Sequence, residues 1–264
     1  MSQNKCFNPG RFVRLFRNDL IINKKTYLFA IAGLSLAVYA LISFFMLSEK
    51  QRFSAISDYT PSLAIYIVVI WLVAGTSFPA FQNQIKTSNY LLSPGSSFEK
   101  FLVQFVIRIL LFIPLALFIY WVGAHLARAS MVADPVTGFD PFFIPEFSFS
   151  GSFNHLITWE ILAIVFSIFS VTTLFFAGSV YFKRFTLFKT LVVLVVIYGA
   201  VFSTFVLLSH IFYPHETSGF NIALKSYNVD AVWTNMQYFF VILGGLSWLF
   251  FLLLAYFKLK EREV

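Results

Sequence analysis

Few side chains in this sequence combine a reactive group with a position from which it could act. The four histidines could bind zinc or copper through neutral imidazole, and they are His125, His155, His210 and His215. Their separations do not match a compact metal-ligand motif. The sequence therefore predicts no metal site, although all four would lie at the same level if the segments between them cross a membrane.

A second polar group, formed by Gln104 and Arg108, stands inside a strongly apolar run. The separation of four residues places both side chains on one face of a helix, one turn apart. A charge in the hydrocarbon core of a bilayer costs a few kcal/mol on insertion scales. Arg108 is therefore expected to face a transport pathway or to reach back to a lipid headgroup at the interface.

Motifs for catalysis are missing from the sequence. It contains no G-x-x-x-x-G-K-[ST] phosphate loop, no G-x-S-x-G nucleophile motif and no H-E-x-x-H zinc motif. No Asp or Glu stands near the middle of an apolar run, where ion-coupled transporters keep their sites. We predict no catalytic residue, and the chain is not expected to hydrolyse nucleotides by itself.

The elements that must position these residues are apolar helices. Hydrophobic residues make up 59% of the chain and charged residues 12%, about half the charged fraction of a soluble domain. Six runs are long enough to span a bilayer of about 30 Å: Tyr27 to Leu47, Pro61 to Phe81, Phe101 to Ala124, Leu156 to Phe182, Thr190 to Phe212 and Met236 to Phe257. The predicted fold is an all-α membrane protein with six transmembrane helices.

Lys and Arg residues set the predicted orientation, because positive charge near span ends stays in the cytoplasm. Fourteen of the nineteen lie in segments on one side of the six runs and four on the other. Both termini are therefore predicted to be cytoplasmic. The net charge of +7 is explained by these span ends, so no nucleic-acid partner is expected. Residues 1–26 form a cytoplasmic segment, 27–257 a single transmembrane domain, and 258–264 a cytoplasmic tail.

The residues before the first run predict an amphipathic helix on the cytoplasmic leaflet. Asn8 is a favoured cap residue and Pro9 a favoured first helical residue. Helical spacing puts four apolar residues on one face, namely Phe12, Val13, Phe16 and Leu20. It puts the polar residues Arg11, Arg14, Arg17 and Asn18 on another. Such a helix anchors topology or serves as an elbow that bears on a cytoplasmic partner.

The connection at residues 82–100, between the second and third runs, carries clear local signals. Pro94 and Gly95 predict a turn. Ser96 with Glu99 three residues later matches a capping box at the start of the third run. Capping does not explain the apolar residues Tyr90, Leu91 and Leu92, which could insert into a groove of another subunit.

Leu-Ser-Pro-Gly-Ser-Ser-Phe-Glu-Lys at residues 92–100 resembles the leucine-proline-small-small-x-x-glutamate-lysine motif of a known family. That family is the membrane subunits of type-2 ATP-binding-cassette (ABC) exporters, in particular a divergent Bacteroidetes-like branch. The basic amphipathic opening, the six runs and the charged ending at residues 256–264 are similar to this class as well. The long connection from His125 to His155 departs from the family, which more often keeps that outer loop short.

The resemblance implies a multi-pass permease of the bacterial cytoplasmic (inner) membrane that forms the translocation pathway as a homo- or heterodimer. A separate cytoplasmic ATPase would bind ATP and Mg²⁺, leaving this chain without a cofactor. Residues 82–100 would act as the coupling helix, through Tyr90, Leu91, Leu92, Glu99 and Lys100. The elbow helix would present Arg11, Phe12, Arg14, Phe16 and Arg17, and membrane lipid would be a further partner.

Two other classes remain open from the residues alone. A non-transporting membrane scaffold or assembly protein would use the spans as anchors and a long outer loop as its binding surface. An intramembrane enzyme or metal-handling protein would bring Glu160 and the outer histidines within about 3 Å of one another. The identity of a transported molecule is not encoded in any motif, although a path with few charges suits an amphipathic molecule better than an ion.

Overall fold

The computed structural model describes residues 7–48, 55–78, 81, 90, 95–133, 146–149, 158–182, 185–212 and 235–263. Within these ranges the chain is helical and contains no strand. The helices are α1 (Pro9–Ile22), α2 (Lys24–Ser48), α3 (Ala55–Ala74), α4 (Ser97–Phe105), a π-helical segment (Val106–Leu111), α5 (Phe112–Ala133), α6 (Thr158–Tyr181), α7 (Thr186–Phe212) and α8 (Asn235–Glu263). We name the unbroken run from α4 through α5 the long rod.

Five stretches within the described residues are long and apolar enough to cross a membrane. They are Lys24–Leu47, Ser97–Ala133, Ile161–Tyr181, Thr186–Thr204 and Val241–Arg262. A sixth apolar stretch, Tyr59–Ala74 within α3, is shorter. The all-helical prediction is confirmed to this extent, and the protein is a multi-pass membrane protein by the length and composition of its helices.

Several helix boundaries differ from those predicted, most clearly in the second and sixth runs. The second run was expected to span 61–81, but α3 begins at Ala55, contains Pro61 in its interior and ends at Ala74. It ends there because Gly75 follows, and because the hydroxyl of Thr76 donates to the Val73 carbonyl at 2.7 Å. Near the C-terminus α8 continues to Glu263, so residues 258–263 of the predicted tail are helical.

The helices pack as two groups connected by α3 and by a contact of α8 with α4. α2 packs against α5, α8 against α6, and α7 against α6, while α3 contacts α2, α5 and α6. Tyrosines in the core keep their hydroxyls bonded, as buried phenols require. Tyr66 donates to the Ala116 carbonyl at 3.0 Å, and the hydroxyls of Ser62 and Tyr120 lie 2.6 Å apart.

Small residues allow the closest approaches between helices, as is common in membranes. Gly123 of α5 faces α2, where an added Cβ would lie 2.5 Å from Val38 Cγ1. Gly178 of α6 faces α7, where an added Cβ would lie 3.0 Å from Thr190 Cβ. These two glycines therefore set the spacing of the two helix pairs.

Candidate functional site

The opening helix α1 begins as predicted. The side chain of Asn8 accepts a hydrogen bond from Gly10 N at 2.9 Å, and Pro9 is the first helical residue. The structure adds which side of α1 is turned toward the rest of the protein. Val13 is 59% exposed and Leu20 38% exposed, whereas Arg11 points toward the long rod.

Val13 and Leu20 are exposed on the protein, as apolar residues that face lipid would be, so the interfacial face of α1 stays a prediction. The side turned toward the protein is formed by residues that are only partly exposed, which are Arg11, Phe12, Leu15, Phe16 and Asp19. Arg14, Arg17 and Asn18 are exposed, as expected. The orientation follows from polar groups on the long rod that attract Arg11 and Asp19, and helical periodicity within α1 does not contain that information.

The capping box at the start of the long rod is confirmed. Glu99 N donates to Ser96 Oγ at 3.2 Å, and Ser96 N donates to Glu99 Oε2 at 3.0 Å. The other carboxylate oxygen of Glu99 accepts from Asn8 N at 2.8 Å and lies 3.1 Å from Arg11 Nη2. Glu99 is completely buried, so one carboxylate both caps α4 and attaches the first turn of α1 to it.

Asp19 forms a second polar connection farther along α1. Its Oδ1 accepts from Asn23 Nδ2 and from Gln104 Nε2, both at 3.1 Å. Its Oδ2 accepts from the hydroxyl of Tyr27 in α2 at 2.6 Å. Bonds to a charged acceptor are stronger than neutral ones. Asp19 thus connects α1, α2 and α4 at one point.

These two connections form the candidate site, which we name the N-terminal junction. Its residues are Asn8, Arg11, Asp19, Tyr27, Ser96, Glu99 and Gln104. Sequence reasoning missed Asp19, although a signal existed because it is the only acidic residue before Glu49. The pairing of Arg11 with Glu99 had no such signal, since 88 residues separate them.

Gln104 and Arg108 were predicted to share a face and lie together, but they have different surroundings. Gln104 belongs to the N-terminal junction through Asp19. Arg108 stands in the π-helical segment and is 9% exposed, with its guanidinium carbon 5.1 Å from the centre of the Tyr27 ring. That distance suits a cation–π contact. The structure does not show whether either residue lines a pathway.

The predicted coupling residues are placed only in part. Leu91 and Leu92 lie outside the described residues, as does most of 82–100 before Gly95. The Tyr90 ring packs edge-on against Phe81 at 5.6 Å, and Lys100 Nζ lies 5.7 Å from its centre. Lys100 and Glu99 are both buried against the protein's own helices. A partner at this loop would therefore act on them indirectly.

The C-terminal end of α8 packs next to the residues that flank the described part of 82–100. The guanidinium carbon of Arg262 lies 4.6 Å from the centre of the Phe81 ring, and its Nη2 donates to the Tyr181 carbonyl at 3.1 Å. Six residues before Arg262, the Tyr256 ring packs edge-on against Phe98 at 5.9 Å and against Phe101 at 5.7 Å. The segments adjoining residues 82–100 are thus held by both terminal helices.

Of the four histidines, only His125 has a described side chain. His125 packs edge-on against Trp121 with ring centres 4.6 Å apart. His155 and His215 lie outside the described residues, and the side chains of His210 and Glu160 are likewise not described. Among the side chains that are described, no group of three or more His, Cys, Asp or Glu comes together.

Comparison with known proteins adds no relative: no protein-family model, curated protein or solved structure matches the chain. The site must therefore be interpreted from its own geometry. Most of its polar groups bind one another and hold three helices together, while Gln104 Oε1 and Arg11 Nε are buried without a hydrogen bond in the described part of the chain. A polar connection of three helices suits the transmission of a displacement between them.

Proposed function

We propose that this protein is the permease subunit of an ATP-driven ABC exporter. In this proposal six helices cross the bacterial cytoplasmic membrane, both termini are cytoplasmic, and a separate ATPase subunit binds ATP and Mg²⁺. Residues 82–100 receive the ATPase, and a second permease subunit completes the translocation pathway. The resemblance of residues 92–100 to the permease motif is the sequence support.

The observation that carries the proposal is the attachment of Glu99 to α1. Glu99 stands in the first turn of the long rod, at the exit of the loop that would receive the ATPase. Its carboxylate contacts Ser96, Asn8 and Arg11 together. A displacement of this loop end is therefore passed both to the long rod and to the amphipathic helix.

Asp19 extends the same path to a third helix. Because its oxygens bind Gln104 of α4 and Tyr27 of α2, α1 cannot shift along the rod without disturbing α2. α2 in turn packs along α5. In this mechanism Glu99 and Lys100 position the helices, and Tyr90, Leu91 and Leu92 are the residues closest to the ATPase.

The surface of α7 is consistent with a second subunit or with lipid. Of its described side chains only Thr186 and Thr190 are buried, while its apolar residues, such as Val195, Val196 and Phe202, are exposed. A membrane helix with so little contact inside its own chain needs lipid or another protein around it. The dimer in our proposal would use this surface.

Affinity purification from native membranes in mild detergent tests the proposal. We expect a phosphate-loop ATPase to remain bound to the wild-type chain and to be lost from Leu92→Asp, which places a charge in the proposed contact. Gln51→Asp, on the predicted outer side, is the matched control and should retain the ATPase. If the chain purifies without an ATPase under conditions that preserve a known ABC exporter, the proposal of an exporter permease is contradicted.

The scaffold is the second candidate, and one contact favours it. Arg128 Nη1 lies 3.0 Å from Glu146 Oε1 and so connects α5 to the segment that follows residue 145. A tethered outer segment could present a binding surface for another protein. If Arg128→Gln removes a co-purified membrane partner while no ATPase is ever recovered, the scaffold function replaces the exporter.

A further inference from the structure

Arg108 is a buried cation without a counterion among the residues that the structure describes. Among the described residues, no carboxylate oxygen lies within 4.0 Å of its guanidinium nitrogens, and its Nε is inaccessible and makes no hydrogen bond. The two terminal nitrogens make no hydrogen bond within the described part of the chain either, and they retain access to the surface. A guanidinium in this state has donors available for an external acceptor.

The neighbouring acid does not fill this role. Asp19 already accepts three side-chain hydrogen bonds, and its Oδ2 is bound to the hydroxyl of Tyr27, whose ring lies against Arg108. Tyr27 thus contacts both groups, Asp19 through its hydroxyl and Arg108 through its ring. An isolated charge in a low-dielectric setting is costly unless it is paired.

The position of Arg108 suits a lipid headgroup better than a soluble ligand. It lies about three turns from the Ser97 end of the long rod, well short of its middle. From there toward the middle, Leu111, Leu115 and Phe118 follow at helical spacing and are exposed. A polar donor next to an exposed apolar strip matches a molecule with an anionic head and acyl chains.

The π-helical segment supports this assignment independently. A π-helical turn is rare, weakens the regular hydrogen-bond ladder, and occurs frequently at functional sites. Here it spans Val106–Leu111 and contains Arg108. The irregularity thus coincides with the one buried arginine of the long rod that lacks an acceptor among the described residues.

We propose that Arg108 binds the phosphate of a membrane phospholipid whose acyl chain lies along Leu111 and Leu115. The planar guanidinium can donate two parallel hydrogen bonds to phosphate oxygens. The site does not depend on the transport function, since a scaffold could hold the same lipid. It would fix one lipid at the groove between α2 and the long rod.

Native mass spectrometry of the full chain in mild detergent tests the site by titration with phosphatidylglycerol. We expect Arg108→Gln to weaken this binding about tenfold, because two charge-assisted hydrogen bonds are lost. Arg17→Gln, which removes an exposed arginine of α1, is the matched control and should change the affinity less than about threefold, as expected for a screened surface charge. Equal losses in the two variants would overturn the site.

Two further ligands identify the source of the phosphate. A glycolipid of the same chain length without phosphate should bind wild type and Arg108→Gln alike, and stronger binding to wild type would overturn phosphate recognition. Inorganic phosphate at millimolar concentration should not displace phosphatidylglycerol. Displacement would show a site for free phosphate and would overturn the lipid assignment.

Thermal unfolding separates ligand binding from a structural role. Arg108→Gln should unfold without added lipid at a temperature no lower than wild type, because it removes a buried charge. At one lipid concentration, phosphatidylglycerol should raise the midpoint of wild type more than that of the variant, in line with the about tenfold weaker binding. If the variant is destabilised in the absence of lipid, Arg108 has a structural role through its contact with Tyr27, and the lipid site is overturned. If Arg108→Gln does not fold, Arg108→Lys should fold and retain only part of the affinity.

Discussion

The two groups of helices differ in how much polar contacts contribute between their members. Charged and polar groups, with Glu99 and Asp19 at the centres, join α1 to α2 and to the α4 end of the long rod, while α2 and α5 also approach closely at Gly123. α6, α7 and α8 are joined by close contact at small residues. Gly178 approaches Thr190, and Gly244 of α8 approaches Phe166 so closely that an added Cβ would lie 2.9 Å from its Cβ.

The difference shows how each group can move. In lipid no hydrophobic force drives one apolar helix onto another, so close van der Waals contact and interhelical hydrogen bonds decide association. Close van der Waals packing between two helices has one best interhelical distance and resists small shifts. A polar junction can exchange partners while its helices tilt. We therefore expect the N-terminal junction to transmit motion and the α6–α7–α8 group to act as its rigid support.

The largest predicted effect is in the rigid group. Gly178→Ala should destabilise the protein by about 3 kcal/mol, because the new methyl overlaps Thr190 and forces α6 and α7 apart. The free energy of unfolding in detergent, measured by titration with sodium dodecyl sulfate, gives this value. Gly199→Ala in α7 is the control, since nothing lies within 4 Å of its added methyl. Equal stability of the two variants would remove the case for a close-packed support.

Glu99→Gln is predicted to loosen α1 and to cost about 2 kcal/mol. Glutamine can keep the bond from Ser96 N and thus the capping box, but it turns an amide donor toward Asn8 N and Arg11. Hydrogen exchange of the α1 amides should rise, while that of α6 should not. Glu99→Ala should cost about 1 kcal/mol more, through loss of the cap. Unchanged exchange in α1 would show that the junction does not hold this helix.

Asp19→Asn should cost about 1 kcal/mol, since an amide at this position cannot accept from Asn23, Gln104 and Tyr27 together. The exposed neighbour Asn18 provides the control, because Asn18→Ala removes a side chain of similar size without a contact to α4. The same unfolding titration measures both variants. A loss from Asn18→Ala as large as that from Asp19→Asn would place the effect in α1 itself.

The smallest effect is expected where the rigid group does use a polar contact. The hydroxyls of Ser170 in α6 and Ser247 in α8 lie 2.7 Å apart. Ser170→Ala should cost about 0.6 kcal/mol, the average for such bonds between membrane helices. Ser170→Ala combined with Ser247→Ala should cost little more than either change alone. If Ser170→Ala lowers the free energy of unfolding more than Asp19→Asn does, polar contacts matter more in the α6–α7–α8 group than at the N-terminal junction, which is the opposite of the contrast drawn above.

Local signals in the sequence predicted local structure well. The cap at Asn8, the helix start at Pro9 and the capping box of Ser96 and Glu99 involve neighbours within three residues. The apolar runs likewise predicted the spanning helices, since burial in lipid demands such composition over about twenty residues. These features need no knowledge of how the helices meet.

Contacts between distant residues were not predictable in the same way. Helical spacing grouped Arg11 with the other polar residues of α1, but it did not indicate that Glu99, 88 residues away, binds Arg11. The end of α3 was placed at residue 81 because the apolar run continues beyond Gly75, although the helix itself ends at Ala74. The π-helical segment has no known signature in a single sequence.

The π-helical segment also lets the long rod hold one more residue than a regular helix without turning its two ends apart. Each residue of an α-helix advances the chain by about 100°. A π turn closes its hydrogen bonds one residue later than an α turn, so it takes up about one extra residue while Ser97–Phe105 and Phe112–Ala133 keep nearly the phase of a continuous α-helix. Deleting one residue between Val106 and Leu111 would therefore restore an ordinary helix in which Glu99 and Gln104 still face α1. The alignment of the elbow with the membrane helices thus tolerates the loss of one residue in this segment of the long rod.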